Sequence, residues 1–187
     1  MTTPIFTFTF LPLFLLFSST FTPITANNVI SEICKKCAQE EYTSMSYKFC
    51  VTSLQADPNS QGADLRQLGL ISMKLVKNNV TNTRRFIKNL LKNEELDKFV
   101  RMCLDDCLDL YTDAITSIKQ AVKDYKMKDN RHANLAVSSV AGAATTCEDG
   151  FEETPGLVSP LTKRNNEMSQ LCDIALMIIT MVSSSFY

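Results

Sequence analysis

Cys34-Lys35-Lys36-Cys37 has the spacing of a redox or zinc pair, and is the first place along this chain where side chains could do chemistry. Two thiolates at that spacing can hold a tetrahedral metal or exchange with a disulfide. The rest of the chain completes neither use. There is no second pair of this kind and His132 is the only histidine, so a zinc site would have to draw on scattered cysteines. A thioredoxin-like role needs a strand–helix–strand setting, which the sequence lacks. His132 is a poor general base, with no Gly-x-Ser-x-Gly, no His-Glu-x-x-His and no glycine-rich phosphate loop to work with. Asp105 and Asp106 are adjacent on a helical pattern, so they diverge rather than converge as acid and base. The reading is a protein that is not an enzyme, with neither a metal nor a cofactor.

The seven cysteines, Cys34, Cys37, Cys50, Cys103, Cys107, Cys147 and Cys172, all follow a hydrophobic leader. Residues 1–26 contain no Lys, Arg, Asp or Glu, and Ile5 to Phe17 is nearly all apolar or Thr, broken by Pro12. That run falls short of the ~20 apolar residues of a membrane span and suits a secretory signal, with cleavage after Ala26. An uncleaved N-terminal anchor is the rival reading. The apolar stretch Ile174 to Val182 is also too short to span, so no membrane is expected for the mature form. The cysteines thus reach an oxidising compartment, where disulfides persist. Seven is odd, so at least one thiol stays free or pairs outside the chain. Cys103 and Cys107, one helical turn apart, either seek different partners or leave one as a buried thiol.

The elements that must position these residues read as helices. Glycine is scarce, strand-like alternation is not sustained, and no Asn-Gly or Asp-Gly hairpin signal appears. Leu65, Gly69, Met73, Val76, Val80, Thr83, Ile87 and Leu90 recur at steps of four and three, one face of a helix within 62–93. A second pattern starts at Glu94 and runs Leu96, Val100, Cys103, Cys107, Leu110, Ala114, Ile118, Ala121 and Tyr125. A third carries Ala133, Val137, Val140, Ala144, Cys147 and Phe151. The fourth follows Ser159-Pro160, with Pro suited to a first helical turn, and includes Met168, Leu171, Cys172, Ala175, Ile178, Ile179 and Val182. Four amphipathic segments with short links predict an all-α, antiparallel up-and-down four-helix bundle over 58–183. Residues 27–57 hold two shorter helices, a hairpin too small to bury its own core. The mature region, 27–187, is then a single domain behind the leader.

Charge is balanced overall, 19 Lys plus Arg against 20 Asp plus Glu, which argues against a nucleic-acid partner. It is not balanced locally. Arg66, Lys74, Lys77, Arg84, Arg85, Lys88 and Lys92 share one sector of the first long helix. Asp105, Asp106, Asp109 and Asp113 share a sector of the second, away from Cys103 and Cys107. Each is either a solvated face or a docking ridge, and the acidic one is the better ridge because crowded like charges repel. Asn79-Val80-Thr81 is the only glycosylation sequon. Asn79 falls beside the apolar seam, which predicts low occupancy.

Several ordered segments resemble one family: Ile33-Cys34-Lys35-Lys36; Tyr47-Lys48-Phe49-Cys50 running into Leu54 and Ala56-Asp57-Pro58; Cys107-Leu108-Asp109-Leu110-Tyr111 with Asp113-Ala114; and Thr146-Cys147-Glu148-Asp149-Gly150-Phe151. Over roughly residues 28–183 the chain resembles the plant invertase and pectin methylesterase inhibitors, and most of all the invertase-inhibitor branch that includes some pollen allergens. The resemblance implies a helical hairpin ahead of a four-helix bundle, disulfides Cys34–Cys50 and Cys107–Cys147, and a free thiol at Cys172. Cys37 and Cys103 depart from the family pattern, and a third pair between them would dock the hairpin onto the bundle.

The resemblance also implies a partner and a site. Family members bind a cell-wall or vacuolar enzyme one-to-one and block its cleft, here a pectin methylesterase or an acid invertase. Acting as a monomer or a dimer, the protein would work in the apoplast and cell wall, or in the vacuole. In esterase-inhibiting members the contact uses acids after the third family cysteine. The matching positions are Asp109 and Asp113, with Tyr111 between them and Thr146 on the next helix, while Thr116 stands where a further acid can occur. Invertase-inhibiting members use a Pro-Lys-Phe motif in the link between the second and third long helices. Asn130-Arg131-His132 occupies that stretch and keeps only the basic residue. Other readings consistent with the chain are a secreted structural or storage protein without inhibitory activity, and a small-ligand carrier.

Overall fold

The computed structural model describes residues 26–39, 45–153 and 155–184. The expected leader, residues 1–26, lies outside these except for Ala26. Six α-helices follow one another: α1 (Ala26–Gln39), α2 (Tyr47–Gln55), α3 (Leu65–Leu90), α4 (Lys98–Lys126), α5 (Asn130–Glu152) and α6 (Thr162–Ser184), with a 3-10 turn at Pro58–Ser60. The fold is all-α. Helices α3 to α6 form the up-and-down bundle, each packed on its neighbour in sequence, with α6 closing the ring against α3.

Local chemistry sets the ends of the bundle helices. Asp64 and Gln67 form a capping box: the Asp64 carboxylate accepts from Gln67 N at 2.7 Å, and Gln67 Oε1 accepts from Asp64 N at 2.9 Å. Asp97 accepts from Phe99 N and Val100 N at the start of α4. Helix α4 ends in a Schellman arrangement, with Lys128 N donating to Tyr125 O and Asp129 N to Asp124 O. Lys128 takes the left-handed position at φ 66°, a place usually given to glycine. Asp129 then caps α5 by accepting from His132 N at 3.2 Å. Pro160 stands two residues ahead of α6 rather than inside its first turn.

One core runs through hairpin and bundle together. Ile30, Ile33, Cys50 and Leu54 of the hairpin are as deeply buried as Met73, Ile118 and Ile178 of the bundle. By length and composition α6 could cross a membrane, yet Met168, Leu171, Ile174, Ile178 and Val182 are buried in the core. Its apolar face is part of the bundle core.

Disulfides join Cys34 to Cys50 and Cys107 to Cys147, with Cα–Cα distances of 5.5 and 5.0 Å. In the chain-entropy model the 16-residue separation of the first contributes ~3 kcal/mol and the 40-residue separation of the second ~4 kcal/mol. Cys172 is a buried thiol, and burial pushes its ionisation well above the ordinary thiol range. The third pair, Cys37–Cys103, is not formed. The hairpin packs on α6 and the start of α3, whereas Cys103 lies on α4 facing α5, with its thiol donating to Gly150 O at 3.2 Å. Asn79 lies mid-α3, half-buried, with its side-chain oxygen accepting from Thr83 Oγ1 at 3.4 Å.

Candidate functional site

Beside the Cys107–Cys147 disulfide, α4 and α5 border an open groove of about 650 Å³. From α4 it is lined by Phe99, Met102, Cys103, Asp106, Asp109 and Asp113, and from α5 by Thr146 and Asp149 with Glu153 just past its end, and the disulfide lies beneath. Five of these side chains are carboxylates and none is basic. The helical step explains the set: Phe99, Met102, Asp106, Asp109 and Asp113 follow at intervals of three and four. Phe99 and Met102 are 54% and 53% exposed, large apolar side chains held in water at the groove's end.

Asp109, Asp113 and Thr146 are all exposed and meet in this groove. Tyr111 does not join them. It is fully buried, and its hydroxyl donates to Asn165 Oδ1 at 2.6 Å in the bundle core. Burial raises the Tyr111 phenol well above its ordinary range, so it stays neutral. The expectation that Tyr111 stands at the contact is therefore corrected: two residues along a helix turn a side chain by about 200°. The acidic ridge is also relocated. Asp106, Asp109 and Asp113 border the same groove as Cys103 and Cys107 rather than pointing away from them, and Asp105 lies outside the lining. Burial first, then the nearby Asp106 and Glu153 carboxylates, raise the Cys103 thiol and keep it protonated.

Asn130, Arg131 and His132 are at the far end of the bundle. Fourteen residues of α5 separate His132 from Thr146, about 21 Å at the helical rise. They form the first turn of α5 instead of a free connection. His132 Nδ1 bonds the Asp129 carboxylate at 2.7 Å, and the Asn130 side-chain oxygen is out of solvent. Arg131 and His132 are both exposed, and the Arg131 charge helps lower the Asp129 carboxyl after the His132 hydrogen bonds. Phe99, Met102, Asp149 and Glu153 were missed from the sequence as groove residues, although the wheel that groups the α4 aspartates places Phe99 and Met102 beside them.

Beneath the groove, a polar cluster locks α4, α5 and α6 together. Asn165, 2% exposed, accepts from Tyr111 and donates to Glu148 Oε2 at 2.6 Å, while Thr162 donates to the other Glu148 oxygen. Glu148 lies on α5 between Thr146 and Asp149, so the cluster ties this stretch of α5 to α6. Among the described residues no group of three or more His, Cys, Asp or Glu is arranged to hold a metal ion.

Comparison with known proteins agrees with this architecture. The family model for plant invertase/pectin methylesterase inhibitors matches residues 28–178. The chain is 39% identical over 161 residues to the "Putative invertase inhibitor" of Platanus acerifolia, covering 86% of this chain and 89% of that one. It is 31% identical over 159 residues to the pectinesterase inhibitor of Actinidia deliciosa, covering 85% and 82%. The crystal structure of a mutant form of a pectin methylesterase inhibitor from Arabidopsis shares the fold at a TM-score of 0.68 and 22% identity, over 81% of this chain and 97% of that one. With its hairpin, its two staples and its bundle, this chain belongs to the plant invertase/pectin methylesterase inhibitor family.

Proposed function

We infer that this chain is a secreted protein inhibitor, not an enzyme, that seats its α4–α5 groove on the substrate cleft of a pectin methylesterase, one inhibitor to one enzyme. The observation that carries this is the meeting of Asp109, Asp113 and Thr146 in one exposed groove whose charged side chains are all acidic. Such a surface steers and orients a basic rim on a partner, and the effect weakens with salt. Delivery outside the cell, by a leader over residues 1–26, accords with the two disulfides and with a relative named as a cell wall / vacuolar inhibitor of fructosidase in Arabidopsis thaliana, 28% identical.

Acid invertase is the second reading, favoured by the 39% identity to the Platanus protein. The geometry favours it less, because His132 is tied to Asp129 and Asn130 is half-buried at the opposite end. Inhibition assays of the purified mature protein against both enzymes decide between them. Asp109→Ala with Asp113→Ala is expected to weaken pectin methylesterase inhibition at least ~tenfold, in the range for lost charge pairs at an interface. An unchanged inhibition constant would remove the groove from the contact.

A further inference from the structure

On the other side of α4, its C-terminal half and α3 enclose a second groove of about 360 Å³ with the opposite charge. Its floor is Leu70 and Val122, both half-buried, and its walls are Lys74 and Lys77 from α3 and Lys119 and Lys126 from α4. The helices are antiparallel here, in a register set by Arg66 stacking 4.6 Å over the Tyr125 ring and by Arg84 Nε donating to Thr112 Oγ1 at 2.8 Å. That register brings lysines from both helices to one trough rather than leaving them on separate solvated faces. Only Lys74 has a carboxylate partner, Asp57 at 2.8 Å. Lys77, Lys119 and Lys126 have none among the described residues, so three like charges converge on an apolar floor without compensation. Helix α4 thus borders an acidic groove on one side and a lysine-walled groove on the other.

We propose that the α3–α4 groove binds a linear polyuronate, the carboxylate-bearing polymer left when pectin methyl esters are hydrolysed. Carboxylates repeated along a polymer are complementary in charge to lysines on two walls, and the apolar floor suits the hydrophobic face of a sugar ring. The volume falls within the ~300–1,000 Å³ of small-molecule sites. Choosing a uronate among anionic polymers rests on the inhibitor reading above. The two grooves lie on different faces of α4, so polymer and enzyme can be held together. The inhibitor would then concentrate where its target has already acted, on de-esterified wall.

The test measures binding of the purified mature protein, without enzyme, to polygalacturonate and to fully methyl-esterified pectin by calorimetry and co-sedimentation. Binding is expected to polygalacturonate only, and to weaken as salt rises. Lys77→Gln/Lys119→Gln/Lys126→Gln is expected to lose at least ~tenfold of it, with the circular dichroism spectrum and pectin methylesterase inhibition unchanged. The three Lys→Arg replacements keep the charge and should retain binding. Equal binding to the esterified polymer, full binding by the glutamine variant, or binding to anionic phospholipid vesicles in place of polygalacturonate would each overturn the assignment. Asp109→Ala/Asp113→Ala should bind polygalacturonate normally, so failure of the docking reading and failure of this one are separate results.

Discussion

Tyr111 stands between Asp109 and Asp113 in the chain but on the opposite side of α4. It is one turn on from Cys107, and so falls on the apolar seam that carries Ala114 and Ile118. Resemblance by chain position grouped Tyr111 with the aspartates; the 100° step of the helix separates them. The aspartates were legible as a set because a charged sector needs only that step. The groove they line was not, because it also needs the α4–α5 register that brings Thr146 and Asp149 opposite them. Tyr111→Phe removes a buried hydroxyl and strips the Asn165 oxygen of its donor. The expected cost is ~1–3 kcal/mol of stability, read from urea unfolding, with the inhibition constant unchanged. A raised inhibition constant in a fully folded variant would put Tyr111 back at the contact.

Among the elements, the helices were legible from period; their starts are set by Asp64, Asp97 and Asp129, which each precede a helix and accept from its first turn. Helix α4 ends without the glycine that usually signals a stop, because Lys128 fills the left-handed position. Gly69 was counted as an ordinary member of the α3 seam, which hid its use. A Cβ there would lie 2.2 Å from the Tyr125 hydroxyl and 2.6 Å from the ring carbon bearing it. Tyr125 cannot swing aside freely, since it is fully buried, Arg66 stacks on its ring, and its hydroxyl donates to Arg66 O at 3.3 Å. Gly69→Ala therefore separates α3 from α4, and the better helix propensity of alanine does not offset that. The expected loss is ~1–3 kcal/mol, measured by thermal unfolding; Gly69→Ala in a Tyr125→Phe background should recover part of it.

At the scale of the whole molecule, the bundle was legible because short links between amphipathic segments leave little choice but antiparallel neighbours. Where the hairpin docks was not, since many bundle faces accept a small apolar hairpin; it chose α6 and the start of α3, and this left Cys37 and Cys103 apart. The chain passes from hairpin to bundle through Asp57. Its buried carboxylate accepts from Lys74 Nζ at 2.8 Å on α3, and from Asn59 N at 3.0 Å and Asn59 Nδ2 at 2.9 Å in the 3-10 turn. The Lys74 bond, then those from Asn59, hold the Asp57 carboxyl below its ordinary value of 3.8. A carboxyl depressed in the folded state contributes its stability fully above the unfolded value and loses it as pH falls through the folded one. The stabilising link between hairpin and bundle is thus complete well above 3.8 and is lost progressively as pH falls past that value towards the lower folded one. Melting temperatures of the parent and Asp57→Asn, followed from neutral pH downward, are expected to differ most near neutrality and to converge once pH is well below that value. An offset that stays constant across the whole range would mean the Asp57 charge contributes nothing, and that the turn is held by its hydrogen bonds alone.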